Sequence, residues 1–256
     1  KQTPFVTIEL QKVYRQTDQE FLALLNAVRD NRADDRTLQL LNARYLPNFK
    51  ASGATYVRLV THNHQADNIN AQEMAQLAAS EKDFRATVEG TFPEGSYPAA
   101  EVLTLKRGAQ VMFIKNDSSG EHRYYNGMLG EITDISDNTV TVRPNDSAEE
   151  IEVGMETWQN SRFTLNEKTN EIEEVVDGTY KQIPLRLAWA ITVHKSQGLT
   201  FERAIIDVQS AFSHGQAYVA LSRCKTLEGM VLSAPIPREA IIQDVSVVQF
   251  SHAMAE

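Results

Sequence analysis

Two hydrophobic periods alternate along this chain, and the places where one gives way to the other divide it. Phe5-Val6-Thr7-Ile8-Glu9-Leu10 alternates apolar and polar like a strand. Thr17 or Asp18 can then cap a helix whose Phe21, Leu22, Leu24, Leu25 and Val28 recur at helical spacing. Asp34 or Asp35 can cap a second helix, with Leu38, Leu41 and Tyr45 on one face and Pro47 after its end. Thr55 to Val60 predicts a strand that runs into Thr61-His62-Asn63-His64 and a helix bearing Ala66, Ile69, Met74 and Leu77. From about Gly108 to Tyr180 the helical period disappears. Strand-like runs take its place at 110–114, 129–135, 139–143, 150–153, 162–165 and 171–176, parted by turn signals such as Asn126-Gly127 and Asp137-Asn138. That spacing predicts a small antiparallel barrel. Residues 79–107 give no clear period, and 91–98 read as an ordered connector.

The α/β pattern resumes after about Pro184. An apolar run ending at Val193 stops at His194-Lys195-Ser196-Gln197-Gly198, and a second run, Ala204 to Val208, follows. Ala217 to Cys224 is helix-like, with Arg223 near its end. The chain thus reads as one α/β domain interrupted by a β-rich insert, without internal repeats. In parallel α/β sheets ligands sit at the carboxyl ends of strands, where Thr61-His62-Asn63 and Thr192 to Gly198 would both lie.

Composition adds bounds. At 256 residues, 42% hydrophobic and 23% charged, the chain has an ordinary globular make-up. No apolar run approaches the roughly 18 to 20 residues of a membrane span, so no membrane partner is expected. The start, Lys1-Gln2-Thr3-Pro4, lacks Met and any signal-like core and reads as an excised piece of a longer chain. The single cysteine, Cys224, excludes an internal disulfide and suits a reducing, cytoplasmic setting. The formal net charge of −9 argues against a broad nucleic-acid surface, although a phosphate groove is local. The acids gather in 146–177. His122, His214 and His252 have no second ligand cluster, so no structural metal is expected. No Gly is followed by Lys, so a Gly-Lys-Ser/Thr phosphate loop is absent.

The order of these pieces resembles the C-terminal half of Pif-type and RecD-like DNA helicases of superfamily 1B. The resemblance rests on Val13-Tyr14-Arg15-Gln16, Leu59-Val60-Thr61-His62-Asn63, Gly108 to Met112 with Asn126 to Gly130, and above all Thr192-Val193-His194-Lys195-Ser196-Gln197-Gly198 and Tyr218-Val219-Ala220-Leu221-Ser222-Arg223. It covers about residues 4–235. It implies a RecA-like second motor domain, of the P-loop NTPase type but without the loop, made of 1–78 and 184–256. It implies an inserted SH3-like antiparallel barrel at 79–183. The partner lobe carrying the phosphate loop and the Mg²⁺-binding acid would be a separate N-terminal domain. ATP and Mg²⁺ would belong to the full-length protein and would not be bound by this piece alone, which should be inactive by itself.

The resemblance also implies roles. Arg223 matches the arginine finger, since a permanently charged planar guanidinium can stabilise charge developing on a γ-phosphate. Arg15 matches the other γ-phosphate contact of this lobe, and Gln16 reads as a support for the arginine or a helix cap. Gln197, Gly198 and Thr200 would face the nucleotide. Thr61, His62, Asn63, Thr192, His194, Lys195 and Ser196 would hold single-stranded DNA, which is gripped by its phosphates. No obligate oligomer is implied.

Each assignment has a plainer alternative. Arg223 can be a surface arginine favoured by a helix C-terminus, Thr61 or Asn63 a helix cap, and the His194 loop a polar turn around a satisfied histidine. Trp189 and Cys224 read as core, Tyr124-Tyr125 as the rim of the insert, and His64 as exposed. The alternative function is a non-motor module, an α/β scaffold with an SH3-like barrel that docks a protein or nucleic acid without nucleotide, a reading the acidic insert motivates.

Overall fold

The computed structural model describes residues 12–51, 56–166, 169–209, 211, 213–244, 246–247 and 249–250. The expected strand over 5–10 lies outside them. The chain runs through helices α1 (Gln19–Arg29) and α2 (Asp35–Asn42), strand β1 (Val57–Val60) and helix α3 (Asn63–Gln76). Next come β2 (Lys82–Arg85), β3 (Thr87–Gly90), β4 (Val102–Leu105), β5 (Gln110–Phe113), β6 (Leu129–Ile135) and β7 (Val140–Pro144). They are followed by β8 (Ile151–Val153), β9 (Glu156–Asn166), β10 (Glu171–Gln182) and β11 (Leu185–Leu187). The chain closes with β12 (Ala190–Thr192), β13 (Ala204–Ile206), α4 (Gln216–Leu221) and β14 (Met230–Leu232). Two compact units result. One takes in the described residues up to 51, Tyr56–Ala66 and those from Ala190 onward, and the other Asp67–Trp189.

The first unit holds a parallel sheet in the order β12-β1-β13-β14. Its strands are buried almost throughout, as a parallel sheet covered on both faces requires. Helix α1 starts at Asp18, whose carboxylate accepts from the amides of Glu20 at 2.8 Å and Phe21 at 3.4 Å. It buries Phe21, Leu24, Leu25 and Val28 along one stripe. Helix α2 starts at Asp34, which takes the Thr37 amide at 2.8 Å and the Thr37 hydroxyl at 2.7 Å. Such caps are each worth about 1 kcal/mol.

The second unit is antiparallel. Its five-stranded sheet runs β11-β5-β6-β7-β8 around Val111, Phe113, Ile132, Val140, Val142, Ile151, Val153 and Leu185. Tyr124 joins that core, its ring stacked 4.5 Å from Phe113, while Tyr125 is exposed. Trp189 packs at the margin of the same core and Cys224 is fully buried in the first unit. The unreadable 79–107 stretch supplies β2, β3 and β4. Of these, β2 and β4 form a two-stranded sheet, stitched by the Gln182 amide to the carbonyls of Phe84, Ala100 and Glu101. A third sheet runs β3-β10-β9. At Gly178 a side chain would lie 2.5 Å from the Thr91 carbonyl, so only glycine allows β10 to pass so close there.

Candidate functional site

Neighbouring strands carry the first set of candidates to one edge of the parallel sheet. β1 and β12 pair in parallel with Val60 opposite Thr192, and the Val193 amide donates to the Val60 carbonyl at 2.9 Å. The segments after both strands therefore leave side by side. One is Thr61-His62-Asn63, opening α3. The other is a single 3-10 turn over His194–Ser196.

Some of these side chains are presented and some shape the loops. His194 and Lys195 are exposed, as are Asn63 and His64, and His62 is half-buried. Thr61, Thr192 and Ser196 are buried. The Ser196 hydroxyl donates to the Val193 carbonyl at 2.6 Å, and the Thr192 hydroxyl oxygen accepts the Lys195 amide at 3.4 Å. The Thr61 hydroxyl lies 2.8 Å from His62 Nδ1. Thr192 and Ser196 thus fold the turn that lifts His194 and Lys195 outward.

The second set meets a few residues further on. After the turn, Gly198 adopts φ +81°, and a side chain added there would meet nothing within 4 Å. Gln197, Gly198 and Thr200 are exposed. Phe201 then bridges to Cys224, its amide donating to the Arg223 carbonyl at 2.9 Å. This bridge sets Thr200 beside the turn that ends α4.

Arg15 arrives from the N-terminal side. Its Nε donates to the Thr200 hydroxyl at 2.8 Å and a terminal nitrogen to the Ser222 carbonyl at 3.1 Å. Arg223 follows the Ser222 cap of α4 and is 8% exposed. It donates to the Val219 carbonyl at 2.9 Å, the Leu199 carbonyl at 3.4 Å and the Ser222 hydroxyl at 2.8 Å. All three acceptors are neutral. Burial first, and then the Arg15 charge, pull its pKa below the ordinary value. Neither arginine makes an ion pair among the described residues, so the Arg15 charge acts on Arg223 with no carboxylate paired to either. A buried cation in that position is stabilised by an anion of matching geometry.

Two further residues belong to this arrangement. Gln16 is buried, and its amide nitrogen donates to the Ser222 carbonyl at 3.0 Å and the Cys224 carbonyl at 2.8 Å, on either side of Arg223. Ser222 receives both arginines, through its carbonyl from Arg15 and through its hydroxyl from Arg223. Ser222 was legible only as a neighbour of Arg223, because nothing local marks a serine whose two oxygens serve residues so far apart in sequence. Among the described residues no group of three or more His, Cys, Asp and Glu side chains is placed to hold a metal ion. No described helix is long and apolar enough to cross a membrane.

No protein-family model matches the chain. It is 33% identical over 252 residues to the ATP-dependent DNA helicase Pif1 of Bdellovibrio bacteriovorus, a match covering 96% of this chain and 54% of that protein. The human ATP-dependent DNA helicase PIF1 is 32% identical over 229 residues, covering 88% and 34%. The chain therefore spans about half, or less, of these curated relatives. Among solved structures, unliganded Pif1 from Bacteroides sp. superposes with a TM-score of 0.85 at 40% identity, over 96% of this chain and 56% of that one. A Bacteroides Pif1 complex with ADP-AlF3 and single-stranded DNA gives 0.70 at 40% identity, over 97% and 56%. The α/β fold with its parallel sheet matches these structures.

Proposed function

The chain belongs to the Pif1-type helicases of superfamily 1B, as their C-terminal portion, and from that premise we propose that it works as the second motor lobe of an ATP-dependent DNA helicase. The observation that carries this reading is the pair of unneutralised guanidiniums, Arg15 and Arg223, joined through Ser222. Residues 1–78 and 184–256 form the RecA-like lobe, and 79–183 an SH3-like insert.

The chain's own share of the chemistry is electrostatic. Arg15 and Arg223 bind the γ-phosphate of a nucleotide held by the other lobe, with Gln197, Gly198 and Thr200 lining the same side. The nucleotide supplies the phosphoryl group, whose equatorial oxygens gain charge as the bond to the leaving oxygen breaks. The missing phosphate loop and the Mg²⁺-binding acid belong to that other lobe. His194, Lys195 and the Thr61-His62-Asn63 segment hold the single strand.

Coupling follows from chain continuity. The His194-to-Thr200 segment is tied at one end to β1 through Val193 and at the other to Arg223 through Phe201. A closure that moves the arginines onto the phosphate moves the strand-gripping turn with them, which gives a step along DNA, 5′ to 3′ as in superfamily 1B.

Joined to a phosphate-loop lobe, an Arg223→Ala variant should lose about 10³-fold or more in kcat, with single-strand binding unchanged. DNA-stimulated turnover that survives the substitution would favour a nucleotide-free binding module. In this chain alone, His194→Ala with Lys195→Ala should abolish salt-sensitive anisotropy of a fluorescent single-stranded oligonucleotide.

A further inference from the structure

β9 and β10 run well past the sheet they belong to. β3 pairs with β10 only over 178–181, and the β9–β10 register shifts between Val176 and Gly178. Beyond it, six consecutive pairs from Val176–Ser161 to Glu171–Asn166 join β9 and β10 to each other alone. At the usual rise per residue the free ribbon extends about 20 Å. An isolated two-stranded ribbon is marginal in water and is normally polar on both faces.

This one is not. Leu165 lies opposite Ile172, Phe163 opposite Glu174 and Ser161 opposite Val176, so Phe163, Leu165, Ile172 and Val176 share a face. They are 73%, 58%, 75% and 45% exposed. An exposed apolar face of this kind marks an interaction site. The rest of the ribbon is acidic. Its described residues, 161–166 and 169–177, carry four carboxylates against one cation, a net of −3, and Arg162 is held by Asp177 at 3.0 Å. Along its whole length β9 is the outer strand of its sheet, with no described strand on its far side.

Charge decides the occupant. Nucleic acid is repelled by the ribbon, and a second copy brings the same acids and a net charge of −9. We propose that the β9–β10 ribbon docks another protein through an extended segment alternating basic and aliphatic side chains, which adds to the outer edge of β9. The aliphatic positions cover Phe163, Leu165 and Ile172 on one face while the cations meet Glu171 and Glu173 on the other. This function is separate from the motor site.

The test uses this chain and a fluorescein-labelled peptide of alternating Lys and Val, beside a Lys-Thr peptide of equal charge. Fluorescence anisotropy should show saturable binding of the Lys-Val peptide. Both Phe163→Ser/Ile172→Ser and Glu171→Lys/Glu173→Lys should weaken it by about tenfold or more. Hydrogen exchange across residues 161–166 and 171–176 reports whether the ribbon remains paired in each variant. Equal binding of the Lys-Thr peptide, or no saturable binding of the Lys-Val peptide, overturns the proposal. So does an oligo-dT that binds the ribbon, or self-association in sedimentation, lost in these variants. The His194/Lys195 variant should leave peptide binding intact, so failure here is separable from failure of the motor reading.

Discussion

Replacing Gln16 by Ala tests how the two arginines are held together. Two carbonyls receive the Gln16 amide, which therefore must present its NH2 to them. Without it the Ser222 carbonyl keeps its bond from Arg15, at the cost of one ordinary hydrogen bond, about 1 kcal/mol. The Cys224 carbonyl loses the amide donor within a fully buried turn, which costs roughly 1–3 kcal/mol. The sum, about 2–4 kcal/mol, is large against the stability of a typical domain. It falls on the segment that carries Arg223.

Hydrogen exchange reads this locally. The Phe201 amide donates to the Arg223 carbonyl and the Lys225 amide to the Phe201 carbonyl, so both lose protection when that strap opens. A cost of 2–4 kcal/mol raises the opening frequency roughly 30- to 1,000-fold. Gln16→Glu sharpens the sign. A carboxylate can only accept, so at neutral pH it opposes both carbonyls, and the variant should be less stable than Gln16→Ala. Below the usual Glu range the protonated acid can donate once, and part of the loss should return. The reasoning is refuted if Gln16→Ala leaves both amides protected within about threefold and the urea midpoint of the first unit unmoved.

Three further outcomes follow from single sites. Asp117 is nearly inaccessible, and although burial opposes it, hydrogen bonds from Ser119 and Arg123 hold its carboxyl far below the ordinary 3.8. Its stabilisation is therefore complete above about pH 4 and lost as acid protonates the folded form. Asp117→Asn should cost about 1–3 kcal/mol at pH 7 and flatten that acid limb in urea titrations. Burial pushes the Cys224 thiol from 9.0 up to about 12, so iodoacetamide at pH 8 should alkylate the native chain about a thousandfold more slowly than the unfolded one; comparable rates would contradict the burial. Gly198→Ala meets no steric neighbour but must adopt φ +81°, so it should cost about 1–2 kcal/mol while leaving the fold intact, as a urea melt would show.

The elements with strong local signals were legible. Asp18 and Asp34 cap because a carboxylate before an apolar stripe has one productive use, and the stripes of α1 and α2 followed. The strands of the second unit were found near their places but cut short at 162–165 and 171–176, where β9 and β10 run on for 11 and 12 residues. Glutamates interleaved with aliphatics look like a strand ending when no core covers them. The missed β2, β3 and β4 are four residues each, with β3 exposed throughout and β2 and β4 covered only in part. So little apolar alternation gives a periodicity argument nothing to count.

For the site, the sequence identified residue types, and the sheet register decided which of them are buried and which exposed. His194, Lys195, Thr192 and Ser196 are indistinguishable as polar residues in one loop, yet the turn buries two and presents two. What separates them is the tie from Val193 to Val60, made across more than a hundred residues of intervening chain. The arginines make the stronger case. Arg15 and Arg223 meet only because β13 and β14 lie beyond β1 in the sheet and the Phe201–Cys224 bridge returns the chain to Gln16. Their acceptors are mainly backbone carbonyls, which carry no side-chain signature. A cationic pair built on carbonyls can be deduced only after the topology is known, and the same geometry leaves it without a carboxylate partner among the described residues.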